Sequence, residues 1–158
     1  MNLHFTLRRG WVFIFLFAAG CGSRPPYEGK SVAQLEKMLN DSDPAVQAQG
    51  AFGLSRHGSA AKEATPALAK ALKSEDVLVR QNAALALGKI GPDAKEAVPG
   101  LIEALEDAAW SVRRQAAKAL GEIGPDAVAA LPALEKRQRD ENHLVRQAAE
   151  EARKKIRG

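Results

Sequence analysis

Strand signals, catalytic motifs and long apolar runs are all missing from this 158-residue chain. Its one cysteine, Cys21, excludes an intramolecular disulfide and any cysteine-cluster metal site. The histidines offer a metal no better home, because His57 and His143 lack a second ligand at helical spacing. There is no G-x-S-x-G nucleophile elbow and no glycine-rich phosphate loop. Acid pairs such as Asp41 and Asp43 recur along the chain, which marks them as caps and turns rather than a general acid and base. The expectation is a non-enzyme with neither metal nor cofactor. Aromatic residues are few and unevenly placed. Phe5, Trp11, Phe13, Phe15 and Phe17 crowd the first 20 positions, leaving only Tyr27, Phe52 and Trp110.

The N-terminus has its own logic. Residues 1–10 are basic, Trp11–Ala19 is apolar, and Gly20-Cys21-Gly22 follows. That order is the pattern of a secretory signal. Nine apolar residues do not cross a bilayer core, which needs about 20 in a helix. Ala18-Ala19-Gly20-Cys21 resembles the lipobox of bacterial lipoproteins, although that family prefers Leu where Ala18 stands. The resemblance implies a signal peptide over 1–20 and lipidation of Cys21 as the first mature residue. Residues 22–30, rich in Gly, Ser and Pro, then read with Cys21 as a tether. In a two-membrane cell, Gly22 after the cysteine would imply sorting to the outer membrane. Without residues 1–20 the 23 bases fall to 21, against 19 acids. A balanced surface of this kind argues against a dedicated nucleic-acid binder.

What the chain does have is repetition. VRQNAALALGKIGP at Val79–Pro92 returns at Val112–Pro125 as VRRQAAKALGEIGP. A worn copy precedes it at Val46–Ser59, and a truncated one follows at Val145–Gly158. A fixed spacing of this kind signals a repeat array. Four units begin at Ser31, Thr65, Val98 and Leu131, aligned by Leu35, Leu68, Leu101 and Leu134. Each opens on a short helix, with Thr65 as N-cap and Pro66 in the first turn of the second unit. A polar turn follows, then a longer helix that Asp43, Asp76 or Asn142 can cap. Val79, Ala83, Leu87 and Ile90 form one apolar stripe along it. Gly91 and Gly124 are expected to end this helix, with the next proline blocking continuation. Gly88 and Gly121 read as further repeat punctuation.

These units resemble the short HEAT-like repeat first associated with phycobilin lyases. The carriers are Val79-Arg80, Ala83-Ala84, Ala86-Leu87-Gly88 and Ile90-Gly91, with their copies from Val112 to Gly124. The resemblance implies an all-α fold, a right-handed α-α solenoid of about four helix pairs over residues 31–158. The first unit departs from the pattern with Gln47 in the arginine slot. The fourth places Arg153 where Leu87 stands, and its polar residues suit a capping repeat. In this family the equivalent arginines Arg80, Arg113 and Arg146 usually bind acidic turns, here Asp76, Asp107 or Asp140, as a structural ladder.

The slots that vary between units are the candidate interaction surface. Phe52, Leu78, Leu85 and Trp110 could form an apolar strip on the second helices, with Arg114 one turn from Trp110. The reading is a lipid-anchored, extracytoplasmic scaffold that binds a protein partner. Its rivals are an accessory or lyase-type role by analogy with phycobilin lyases, and nucleic-acid binding if the chain is not exported.

Overall fold

The computed structural model describes residues 25–158, so the expected signal peptide and Cys21 lie outside the described residues. Every regular element among those residues is helical. Four pairs follow one another: α1 (Val32–Leu39) with α2 (Pro44–His57), and α3 (Thr65–Ala71) with α4 (Val77–Ile90). Then come α5 (Val98–Ala104) with α6 (Trp110–Ile123), and α7 (Leu131–Arg137) with α8 (His143–Arg157). The second helices α2, α4, α6 and α8 pack side by side in that order, and the first helices lie against them. The expected α-solenoid is what forms.

Side-chain chemistry starts α1 and the second helices. Ser31 and Gln34 exchange backbone and side-chain hydrogen bonds in a capping box on α1. Asp43 accepts from the Ala45 amide at 2.8 Å, and Asn142 accepts from Leu144 at 2.9 Å. Asp76 accepts from both Leu78 and Val79, at 2.8 and 3.0 Å. In the third unit the cap position is Ala109, which has no such oxygen. There Asp107, two residues earlier, takes the Ala109 amide at 2.8 Å.

Two expectations about helix ends need correction. Gly58, Gly91 and Gly124 do end α2, α4 and α6 at positive φ, which glycine alone accepts without strain. Pro92 and Pro125, however, do not stop the helical path. The chain runs on through 3₁₀ turns at Gly91–Ala97 and Gly124–Ala130, with each proline in the first turn where its missing N–H costs nothing. The matching turn at Gly58–Ala64 has no proline at all, so the glycine makes the break.

Thr65 is likewise not a cap. It lies inside the first turn of α3, it is buried, and its hydroxyl has no hydrogen-bond partner. Val98 and Leu131 fill the same slot in the later units. An unpaired buried hydroxyl costs about 1–3 kcal/mol relative to one that is satisfied. Thr65→Val, which keeps the shape and removes the orphan, is expected to raise stability by about 1 kcal/mol. An unchanged or lowered urea midpoint would show that the hydroxyl is not the liability.

The core repeats with the units. Leu35, Leu68, Leu101 and Leu134 are fully buried, as are Leu54, Leu87 and Leu120 from the second helices. Alanines 83, 84, 86, 116, 117 and 119 fill the space between units, which brings neighbouring helices close. Gly88 and Gly121 belong to this packing rather than to punctuation. A Cβ on Gly88 would stand 3.0 Å from Cα of Ala119, and one on Gly121 only 2.9 Å from Cα of Ala152.

Candidate functional site

The ladder of arginines is built from the turn between the two helices of each unit. Arg80, one turn into α4, sends Nη1 to the carbonyls of Ser74 and Glu75, both at 2.8 Å. Its other edge grips Asp107 of the following unit, Nε to Oδ2 at 2.6 Å and Nη2 to Oδ1 at 3.0 Å. Arg113 repeats this in α6: Nη1 reaches the Asp107 and Ala108 carbonyls, and Nε and Nη2 grip Asp140 at 2.9 Å each. The guanidinium thus ties its own turn to the next one with a bidentate ion pair.

Burial grades the two rungs. Side-chain exposure is 15% and 11% for Arg80 and Asp107, against 7% and 2% for Arg113 and Asp140. Burial pushes both carboxyls upward, but the arginine hydrogen bonds and the amides of Ala109 and Asn142 outweigh it. Nearby arginine charge adds to this, so both carboxyls are held below the usual range. The carboxylate bonds raise both arginines in turn, against the opposing effect of burial.

Asp76 is not a ladder acid. It is spent on capping α4, two residues past the slot that holds Asp41, Ser74, Asp107 and Asp140. That slot also explains the worn first unit. Gln47 replaces the arginine and Ser74 replaces the carboxylate it would bind, so the first rung loses donor and acceptor together. Gln47 instead donates to the Asp41 carbonyl, and Ser74 accepts from the Asp76 amide. The signal was present in the 33-residue register and needed only the two slots to be read as a pair.

The candidate interaction residues do not form one strip. Phe52 is half-buried on α2 and meets Tyr27 edge to face, with ring centroids 5.1 Å apart. His57 helps to hold the same N-terminal segment, its Nε2 lying 3.0 Å from the Lys30 carbonyl. Residues 25–30 are therefore packed onto the first unit, and the rest of the expected tether lies outside the described residues. Leu85 is half-buried and lines a groove of about 270 Å³ between α4 and α6, with Gln115, Lys118 and Glu122.

Trp110 and Leu78 are the exposed pair, at 44% and 59%, each near the start of its helix. By helical spacing Trp110 lies in line with Ala117 and Gly121 on α6, and Gly121 packs on Ala152 of α8. Arg114 follows one turn later and is half-buried. Trp110 and Arg114 thus stand one turn apart on α6, Leu78 lies at the same end of the neighbouring helix, and Phe52 packs against Tyr27 at the N-terminal end. No helix among the described residues is long and apolar enough to cross a membrane.

The profile of HEAT repeats matches residues 32–96 and 92–154. The chain belongs to the HEAT-repeat family. No curated protein matches it by sequence. Among solved structures it is similar to an engineered protein at 29% identity, covering 80% of this chain and 62% of that one, with a TM-score of 0.66. A designed armadillo repeat protein in complex with the peptide (KR)4 is similar at 24% identity over 79% of this chain and 64% of that one, TM-score 0.70. The HEAT chain therefore spans less than two thirds of both structures. The complex of CpcE and CpcF of phycocyanin lyase from Nostoc sp. PCC7120 matches at 23% identity over 89% of this chain and 68% of that one, TM-score 0.60.

Proposed function

We propose that this HEAT protein is a membrane-anchored, extracytoplasmic scaffold that holds a protein partner and performs no chemistry itself. The observation that carries the partner role is Trp110. Its indole is 44% exposed in a slot that the other units fill with Pro44, Val77 and His143, so packing does not require it. An exposed tryptophan with an arginine one turn away is the composition of an interface hot spot. The armadillo structure in complex with the peptide (KR)4 and the complex of CpcE and CpcF support such a role for a surface of this kind.

Anchoring rests on Cys21 and the apolar run before it. Only four peptide units separate Cys21 from Pro25, which limits their separation to about 14 Å. A lipid on Cys21 would therefore keep the first unit close to the membrane and leave the later units to present Trp110. Confinement to a surface raises the effective concentration for any partner on the same face.

The test is co-purification from detergent-solubilised membranes with the native protein and with Trp110→Ala. The variant is expected to lose about 2 kcal/mol of partner affinity with melting nearly unchanged. A large melting loss with unaltered affinity would end the partner reading. Intact-mass analysis showing an unmodified Cys21, or a mature start elsewhere, would end the anchoring reading.

A further inference from the structure

Two of the three ladder arginines are closed by a carboxylate from the following unit, and the third is prepared in the same way but left open. Arg146 sends Nη1 to the carbonyls of Asp140 and Glu141, at 2.8 and 3.0 Å. Arg80 and Arg113 orient their guanidinium planes by the same pair of carbonyl bonds. The shared anchoring aims the Nε–Nη2 edge of Arg146 off α8, toward the side where a following unit would stand. Arg146 is exposed, and among the described residues no carboxylate closes that edge. The acids nearest in sequence are engaged elsewhere. Glu141 pairs with Arg113, and Glu150 pairs with Arg153 and Lys154.

The outer flank of α8 is built differently from the flanks that stack inside the array. Close stacking uses Gly88 against Ala119 and Gly121 against Ala152, and the same slot of α8 holds Lys154. Arg153 replaces Leu87 and Leu120, and Glu150 replaces Ala84 and Ala117. A charged flank of this kind, with Arg153 paired to Glu135 and Glu150 of its own unit, suits a polar loop better than a close-packed helix. The geometry points to Arg146 as a preformed carboxylate site that takes an aspartate from an acidic turn of a partner protein. The template is the chain's own clasp: Asp140, fixed by the Asn142 amide at 3.0 Å, presenting two oxygens to Arg113. Planar bidentate recognition of this kind favours carboxylate on arginine and is poorly mimicked by lysine. The inference is independent of the Trp110 surface, which lies on α6.

The experiment follows the arginine Nε–H signals of the full ¹⁵N-labelled chain by NMR. The probe is a blocked hexapeptide with the sequence of residues 140–145, which begins with aspartate. A saturable shift is expected at Arg146, with Arg80 and Arg113 unmoved because their edges are already occupied. Replacing the peptide's aspartate by asparagine, or Arg146 by lysine (Arg146→Lys), is expected to weaken binding about tenfold. Equal shifts from the asparagine peptide would overturn the proposal, as would inorganic phosphate binding as tightly as the aspartate peptide. So would sedimentation showing self-association that Asp41→Asn abolishes, because Asp41 occupies the ladder-acid slot of the first unit and a second copy would then be the occupant.

Discussion

Arg113→Ala is expected to cost about 3 kcal/mol of folding stability, the largest loss of any surface-reaching charge in this protein. The reason is the carboxylate left behind. Asp140 has 2% side-chain exposure, so its charge cannot be rehydrated without opening the turn. Arg137, at 3.2 Å, and the Asn142 amide, at 3.0 Å, still offer partial compensation, which places the loss at the low end for a broken buried pair. Arg80→Ala should cost less, about 2 kcal/mol, because both partners of that rung are more exposed. Arg146→Ala removes only bonds to carbonyls and should stay within about 0.5 kcal/mol. Urea midpoints of the three variants thus rank the rungs. Equal losses would mean that the carboxylate partner contributes nothing and the carbonyl bonds contribute everything.

The same rungs set the acid limb of stability. Asp107 and Asp140 have folded-state values below the ordinary carboxylate value. Their contribution is therefore complete above the unfolded-state value of about 4 and is lost as pH falls through the lower folded-state values. Arg113→Ala removes the main cause that depresses Asp140, so its acid limb should flatten relative to the native protein. A variant whose stability falls as steeply below pH 4 as the native one would contradict this.

Much of the fold was legible because the physics repeats. A valine, an alanine pair, a leucine and an isoleucine at fixed spacing define a buried stripe, and the 33-residue register copies that stripe in full onto the two central units and in part onto the outer two. Caps at Asp43, Asp76 and Asn142 were equally readable, since each precedes the apolar pattern at the position an N-cap requires. The ladder was readable first as a set of residue types: Asp76 and Asp107 are both acids of a turn, and it is their different slots in the register that separate cap from clasp. Packing outside the register was the hardest to foresee. Tyr27 precedes the first unit and has no counterpart to align with, so its closure over Phe52 left no periodic trace. Thr65 looked like a cap because threonine commonly is one, whereas its sister residues Val98 and Leu131 carried the better clue to burial.

Gly121→Val is expected to cost about 3 kcal/mol, although glycine inside a helix is ordinarily the weaker choice. Gly121 lies in the last turn of α6, where replacing glycine by alanine on an open face would gain about 1 kcal/mol of helix propensity. Here a Cβ would meet Cα of Ala152 at 2.9 Å and its Cβ at 3.2 Å. The nearest obstacle is backbone, so α8 must move as a body and the alanine-filled seam between the last two units opens. Gly121→Ala should therefore be a net loss of about 1 kcal/mol, the clash exceeding the propensity gain. Gly100 supplies the control: a Cβ there meets only the tip of Leu72 at 3.2 Å, a flexible side chain that can turn aside. Gly100→Ala is expected to be neutral or stabilising. Ala152→Gly should rescue Gly121→Ala only in part, because it removes the methyl group opposite and leaves the α8 backbone 2.9 Å away. If Gly121→Ala instead raises the urea midpoint as Gly100→Ala does, the seam is looser than these distances require, and close approach at glycine is not what holds α6 to α8.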